Sequence, residues 1–209
     1  MECTGNGEPL AAEVQLSVDE LLQRRVELNE QVIAGLREDS LAQKLYDACA
    51  EDAKLGRMSA PRRLVARDLQ SFSLSARFPV VQGEKVRPVD DLSASMINPA
   101  TAPTEKLKCD RLDDLHESMR DMAADAQSPL VLYKADIDAA YRRVCIEPDQ
   151  MQFAAVVFRY KGEVWISVHY ANPFGGVACV HNWDRIGKYI RARLHPFSGL
   201  ASKSWQAAC

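Results

Sequence analysis

The spacing of apolar residues changes along the chain from helical to strand-like and back. After a start rich in Gly, Pro and small polar residues, Ser17 has the character of a helix N-cap, with the acidic Glu20 three positions on. We expect an amphipathic helix that breaks near Gly35 and resumes through residues 41–49. Its apolar stripe consists of Leu21, Leu22, Val26, Leu28, Val32, Ile33 and Leu36.

Two later regions show the alternation typical of β-hairpins. The first covers residues 72–89 with Gly83 in its turn, and the second covers residues 153–168 with Gly162 in its turn. The uninterrupted apolar run 130–133 predicts a short buried strand, followed by a tight helical turn.

Two further helices are predicted, over residues 111–122 and from Val177 to Ile190. In the first of these, the neighbouring Asp113 and Asp114 are expected on a solvated face. The apolar face is expected to contain Leu112, Leu115 and Met119. Together the patterns predict an α+β fold in which helices pack an antiparallel sheet.

Composition places the chain among globular proteins with one sizeable core. Of the 209 residues, 47% are hydrophobic and 26% are charged, and no run approaches the roughly 20 apolar residues of a membrane span. The first residues lack the basic and apolar pattern of a signal peptide. We therefore expect an intracellular protein without a membrane partner.

The charge is unevenly distributed. Residues 1–55 carry 12 acidic and 5 basic side chains, whereas the remainder carries 17 acidic and 21 basic ones. The basic bias after residue 55 is compatible with a polynucleotide groove. The acidic N-terminal helix is expected to be a packing helix or to contact a protein partner.

The six cysteines show neither a Cys-x-x-Cys pair nor zinc-ligand spacing with the four histidines. Most are expected to be reduced. Cys145 and Cys179 lie in apolar surroundings and are expected in the core. His169 and His181 are expected to make ordinary structural hydrogen bonds.

Asp136 is the first candidate for chemistry, because it lies three residues after the end of the apolar run 130–133, where the predicted strand gives way to a helical turn. A carboxylate at this position either caps the turn that follows or binds a hard cation such as Mg²⁺, which prefers oxygen ligands. The residue type alone leaves both interpretations open.

Three segments, in this order, resemble the nucleotide-binding core of reverse transcriptases. They are an Arg-Pro-Val-x-Asp segment beginning at Arg87, an Asp-x-x-x-Ala-Tyr segment beginning at Asp136, and a Pro-Phe-Gly segment beginning at Pro173. The resemblance spans roughly residues 75–190. It implies a partial polymerase right hand, with fingers and palm in residues 61–195, an acidic helical extension in residues 1–60 and an irregular tail in residues 196–209.

The resemblance also implies roles for single residues. Asp136, assisted by the carbonyl of Ile137, corresponds to a metal ligand, and Asp136 is the catalytic candidate. Tyr141 corresponds to the residue that packs under the sugar and excludes a 2′-hydroxyl, which favours DNA synthesis over RNA synthesis. The implied nucleotide-binding set is Arg87, Asp91, Ala140, Tyr141, Phe174 and Gly175.

On the predicted C-terminal helix, the basic residues Arg185, Lys188 and Arg191 are candidates for binding a template strand. The implied partners are an RNA or DNA template-primer and a deoxynucleoside triphosphate. For Arg87, a simple surface ion pair with Asp90 or Asp91 is the alternative to a phosphate-binding role. For Tyr141, the alternative is a half-buried core aromatic.

The chain also departs from the family pattern. The second basic residue that many members carry after the fingers Asp is missing, and no acidic residue follows Asp184, so the Tyr-x-Asp-Asp motif is absent. A single catalytic Asp does not assemble a two-metal centre. We therefore expect a truncated, inactive polymerase domain of a retroelement, with Mg²⁺ or Mn²⁺ bound only in an intact homologue.

Two alternatives remain open at this point. One is a non-catalytic nucleic-acid-binding or protein-interaction domain derived from a retroelement. The other is an unrelated α/β domain whose acidic N-terminal helix binds a partner.

Overall fold

The computed structural model describes residues 16–103, 105–107, 111–125 and 136–194. Over these ranges the chain forms α-helices, 3₁₀ helices (η) and one mixed sheet. The helices are α1 Val18–Gln23, α2 Arg25–Gly35, α3 Ala42–Lys54, α4 Asp68–Ser71, α5 Leu112–Asp125, η1 Ala140–Arg143, η2 Pro148–Phe153 and α6 Val177–Leu194. The strands are β1 Arg62–Arg63, β2 Leu74–Gln82, β3 Lys85–Asp91, β4 Ala155–Tyr160 and β5 Glu163–Val168.

The predicted N-terminal helix forms, but it is divided at Arg24 into α1 and α2, and the predicted stripe residues Leu22 and Val26 are exposed. Ser17 is the N-cap of α1, and its hydroxyl accepts a hydrogen bond from the Glu20 amide while the Glu20 carboxylate accepts one from the Ser17 amide. Helix α2 ends at Gly35, and α3 begins at Ala42. The predicted break is therefore confirmed.

Both predicted hairpins are confirmed. Strands β2 and β3 pair antiparallel around a turn in which Gly83 has a positive φ. Strands β4 and β5 pair around Lys161 and Gly162, which both have positive φ. The carboxylate of Glu38 accepts hydrogen bonds from both of these turn amides, so the end of the second hairpin is tied to the α2–α3 connection.

The α+β fold class is confirmed, but the sheet is mixed and not antiparallel throughout. Its strand order is β1-β5-β4-β2-β3, and β2 pairs parallel with β4. The two hairpins are therefore joined side by side through their first strands. This parallel pairing requires the long connection that separates β2 from β4 in the chain.

Helices cover both faces of the sheet. Val156, Phe158 and Tyr160 of β4 pack against α3, whereas Ala155 and Val157 point to the opposite face, towards α2. This division follows from the alternation of side chains along a strand. Helix α3 contributes Ala42, Leu45 and Cys49, and α2 contributes Val32 and Ile33.

The segment after β3 is held by the N-terminal helices. Leu21 of α1 and Leu28 of α2 are buried with residues that follow β3, namely Leu92, Ile97 and Ala100. This cluster positions the chain between β3 and α5. No described helix is both long enough and apolar enough to cross a membrane.

Some individual predictions are wrong. Leu112, the first residue of α5, is 74% exposed, whereas Leu115 and Met119 on the same predicted face are half-buried. Cys145 is exposed, since it alternates with the half-buried Val144 and Ile146, whereas Cys179 is buried as predicted. The predicted strand 130–133 lies outside the described residues.

Candidate nucleotide site

A buried cluster of charged side chains lies between β2, β3 and the end of β5. Arg77 donates from Nε to Asp90 Oδ1 at 2.6 Å and from Nη2 to Asp90 Oδ2 at 2.9 Å. His169 Nε2 lies 2.9 Å from the same Oδ2. All three side chains are at most 4% exposed, so the charge pair is almost completely removed from water.

Arg142 of η1 extends this cluster to helix α3. Its Nη1 lies 2.6 Å from His169 Nδ1 and 3.2 Å from the Ala171 carbonyl oxygen, and its Nη2 donates to Asp52 Oδ2 at 2.7 Å. Because a guanidinium only donates, Nδ1 of His169 must accept. The proton of the neutral imidazole is therefore assigned to Nε2, which donates to Asp90 Oδ2. Arg77 Nη2 lies 3.1 Å from the same nitrogen and donates to Asp90 Oδ2.

The surroundings of these groups shift their pKa values. Burial disfavours the Asp90 carboxylate, but the charge of Arg77 and the hydrogen bonds from His169 and Arg77 outweigh it, so the pKa of Asp90 is held well below its usual value. Burial, reinforced by the charges of Arg77 and Arg142, lowers the pKa of His169 to about 4 despite its contact with Asp90. The cluster therefore holds an ionised Asp90 and a neutral His169 at pH 7.

The Pro-Phe-Gly corner packs directly on the end of β3. Gly175 has a φ of +97°, and a Cβ at this position would lie 2.8 Å from the Asp90 carbonyl oxygen. Asn98 bridges the two segments, because its Nδ2 donates to the Gly175 carbonyl at 2.8 Å and its Oδ1 accepts from the Val177 amide at 2.9 Å. The corner and the segment that follows β3 are therefore one packed unit.

Tyr141 brings the second sequence segment to the same corner. Its ring centroid lies 5.1 Å from that of Phe174 and 6.2 Å from that of Trp183 on α6. Tyr141 is half-buried, and Phe174 is 55% exposed. The structure therefore presents a partly open aromatic surface beside Gly175, with the neighbouring Ala140 half-buried in η1.

Arg87 lies on β3 but away from this corner. It is four residues from Asp91, a separation of roughly 13 Å along a strand, and its side chain is exposed. The alternative ion pair with Asp90 or Asp91 is not formed. Asp90 binds Arg77, and Asp91 Oδ1 accepts from the amides of Ser93 and Ala94.

Asp136 and Ile137 are both exposed, at the start of a described segment. The next carboxylate, Asp138, lies 3.4 Å from Arg143 Nη2. Among the described residues, no three His, Cys, Asp or Glu side chains are close enough together to hold a metal ion. A two-metal centre needs several carboxylates, so the residues described around Asp136 do not fit one.

Two of the predicted template-binding cations form ion pairs within the molecule. Arg185 Nε donates to Glu105 Oε1 at 2.6 Å, and Lys188 Nζ lies 2.5 Å from Asp184 Oδ2 one turn earlier on α6. The side chain of Arg191 lies outside the described part of the structure. The ion pairs of Arg185 and Lys188 have to open if these side chains are to bind phosphate.

The predicted site residues therefore do not all lie together in the structure. Asp91, Tyr141, Phe174 and Gly175 lie on segments in direct contact, whereas no described contact links the side chains of Arg87 or Asp136 to them. Sequence reasoning missed Arg142, Asn98 and Asp52, because a polar residue that becomes buried through long-range contacts has no local spacing signal. His169 is hydrogen-bonded as predicted, whereas buried Nδ1 of His181 has no hydrogen-bond partner among the described residues.

Comparison with protein-family models and with curated proteins found no match to this chain.

Proposed function

We propose that this chain is the fingers-and-palm portion of a reverse transcriptase-like protein of retroelement origin. It binds a deoxynucleoside triphosphate and a template-primer, and these residues alone do not carry out polymerisation. The observation that supports the proposal best is the contact between the three segments of the resemblance. The Asp90 carbonyl of the first segment packs against Gly175 of the third, Asn98 just after β3 bonds to the same corner, and Tyr141 of the second segment packs on Phe174.

The aromatic surface suggests how a nucleotide is recognised. The ring of Tyr141 supports the sugar and base, while the exposed Phe174 and the glycine backbone allow the ligand to approach closely. Arg87 supplies a permanent positive charge on the exposed face of the hairpin, and no described acidic side chain neutralises it. A planar guanidinium is well suited to phosphate oxygens.

The metal belongs to the intact family site and not to the residues described. Divalent cations neutralise phosphate charge and activate the attacking hydroxyl in such enzymes. In this chain Asp136 and the Ile137 carbonyl are the only candidates that the resemblance offers. The proposed site therefore binds a nucleotide without catalysing a chemical step.

Equilibrium dialysis of the purified chain against labelled dCTP and CTP tests nucleotide binding directly. We expect dCTP to bind more tightly than CTP, and Tyr141→Ala to reduce the difference because the ring no longer excludes the 2′-hydroxyl. Arg87→Ala is expected to weaken dCTP binding by about tenfold, as the loss of a charged phosphate contact does. The control is Arg63→Ala, which removes another exposed strand arginine, on the opposite edge of the sheet.

Primer extension on an RNA template with Mg²⁺ or Mn²⁺ tests the second part of the proposal. We expect no synthesis by the 209-residue chain. Synthesis that Asp136→Asn abolishes would show that the chain is an active polymerase. If the unaltered chain does not bind dCTP, the proposal of a nucleotide-binding site is wrong.

A non-catalytic nucleic-acid-binding domain is the second candidate, and it is favoured by the absence of a metal-binding group among the described residues. It predicts salt-dependent RNA or DNA binding without nucleotide binding. This binding is expected to survive Asp136→Asn and to decrease when Arg87, Lys188 and Arg191 are neutralised together.

A further inference from the structure

The 3₁₀ helix η1 carries Tyr141, but it contains little that would hold it in place by itself. It has four residues, and no side chain caps its N-terminus. Such short helices depend on tertiary contacts, because their hydrogen bonds are few and poorly aligned. The residue before it, Ala139, has a φ of +50°, which is unfavourable for a residue with a Cβ.

Three consecutive side chains of η1 point in three directions. With three residues per turn, neighbouring side chains of a 3₁₀ helix are about 120° apart. Tyr141 faces Phe174 and Trp183, Arg142 enters the protein interior, and Arg143 remains exposed. The rotation of η1 about its axis is therefore coupled to the position of Arg142.

We propose that Arg142 is a positioning residue that holds Tyr141 against Phe174 and Trp183 by anchoring η1 to Asp52 and His169. Backbone hydrogen bonds from the Ile146 and Asn172 amides join the chain that follows η1 to the segment after β5. Both bonds lie after the last residue of η1, at Val144 and Ile146. Within η1, the side chain of Arg142 has described polar partners on two other segments.

The anchor requires a neutral imidazole. Arg142 Nη1 donates to Nδ1 of His169 at 2.6 Å, and a proton on Nδ1 would place two donors and two positive charges face to face. The charged groups around His169 are Arg77 of β2, Asp90 of β3 and Arg142 of η1, with Asp52 of α3 behind Arg142. Acid protonation of His169 therefore breaks the same anchor without a mutation.

The test compares Arg142→Gln with Arg143→Gln. Both variants lose one positive charge from the same 3₁₀ helix, but Arg143 contacts only Asp138 among the residues described. Arg142→Lys is the conservative variant. It retains the charge opposite Asp52 but cannot reach both Asp52 and His169 through a planar fork.

Acrylamide quenching of Trp183 fluorescence reports the position of Tyr141 without any ligand. In a Trp165→Phe, Trp205→Phe background, Arg142→Gln is expected to raise the Trp183 quenching constant roughly twofold through local opening. Arg143→Gln is expected to leave it unchanged, and Arg142→Lys to restore part of the difference. In a Trp183→Phe, Trp205→Phe background, Trp165 reports the α3 core, where it packs on Tyr46 and Tyr160.

The outcomes separate positioning from general stability. Unchanged Trp183 quenching in Arg142→Gln would overturn the proposal, and so would an equal change at Trp165, since that shows a role in the whole fold. If Arg142→Gln does not fold, acidification of the unaltered chain supplies the comparison. Trp183 is expected to become more accessible before Trp165 as the pH falls, and simultaneous change would overturn the proposal.

The consequence for ligand binding rests on the proposed function. With dCTP as the probe, Arg142→Gln is expected to weaken binding by about tenfold and Arg143→Gln to leave it unchanged. If the unaltered chain does not bind dCTP, the proposed function fails while the Trp183 measurement still decides the role of Arg142. Equal dCTP binding by both variants, together with increased Trp183 quenching in Arg142→Gln, would show that Arg142 positions Tyr141 without affecting nucleotide binding. That result would overturn the ligand part of the inference.

Discussion

Asp90 accepts hydrogen bonds from two buried side chains, Arg77 and His169. The Asp90 carboxylate stabilises the fold mainly because, without it, the positive charge of Arg77 would lie buried and unpaired.

The fully buried Asn29 also satisfies buried polar groups, but it carries no charge. Its amide donates to the Leu69 and Phe72 carbonyls and accepts from the Leu74 amide, joining α2 to the start of β2.

Asp90→Asn is expected to lower the free energy of unfolding by about 3–5 kcal/mol, because Arg77 becomes an uncompensated buried charge. Urea denaturation followed by circular dichroism measures the change. The neighbouring Asp91→Asn is the control. Its half-buried carboxylate only accepts from loop amides, and we expect a loss of about 1 kcal/mol or less. Equal losses in the two variants would contradict the buried ion pair.

His169 is expected to make stability depend on pH between about 6.5 and 4. Its pKa is lowered from 6.5 to about 4 on folding, so the unfolded chain takes up the proton first. The contribution to stability is complete above pH 6.5 and is lost as the pH falls towards 4, in total about 3 kcal/mol. Urea denaturation at a series of pH values between 4 and 7 measures how the free energy of unfolding changes with pH. In His169→Gln the same window is expected to be flatter, and an unchanged slope would assign it to other groups.

Several helices and strands contact elements that are distant from them in the sequence. Strand β2 pairs with its hairpin partner β3 on one side and with β4 on the other. Strand β3 ends beneath the Gly175 corner, and η1 lies between that corner and helix α3. The candidate site is therefore assembled where the ends of several short elements converge.

Gly175→Ala is expected to separate the corner from β3. A Cβ would meet the Asp90 carbonyl oxygen at 2.8 Å, and the backbone at φ +97° disfavours any side chain. We expect a loss of about 2–3 kcal/mol in thermal or urea unfolding. Gly83→Ala is the matched control, because Gly83 also has a positive φ but no atom within 4 Å of the added carbon. A loss of about 1 kcal/mol is expected there.

At the scale of the whole molecule, the sheet is stabilised by helices from the first third of the described chain. Helix α2 packs on the face that contains Leu74, Ala155 and Val157, and α3 packs on the other face. The acidic N-terminal region predicted from charge therefore contains the helices that cover the core. The protein partner predicted for this region would have to contact its solvent-exposed faces.

Deletion of residues 1–37 is expected to abolish cooperative unfolding, because it removes Val32, Ile33 and Leu36 from one face of the sheet and exposes that part of the core to water. Thermal circular dichroism and binding of a hydrophobic dye measure this. A single substitution provides a graded comparison in the full chain. Ile33→Ala, on the packed side of α2, is expected to cost about 1–2 kcal/mol, whereas the exposed Val26→Ala is expected to cost less than about 0.5 kcal/mol. A cooperative transition in the shortened chain would show that α2 is dispensable.

Local pattern was sufficient to predict both hairpins and the helices α3, α5 and α6, but not α4, η2 or the division between α1 and α2. Side-chain periodicity, the Ser17 capping box and the glycine turns act over a few residues, so their effect can be predicted before the chain folds. The parallel pairing of β2 with β4 was not predictable in this way. Neither was the burial of Arg142 and Asp52 around His169, residues that lie between 27 and 117 positions apart. Contacts between distant parts of the chain depend on which surfaces remain to be covered once the local elements form, and only the tertiary structure determines that.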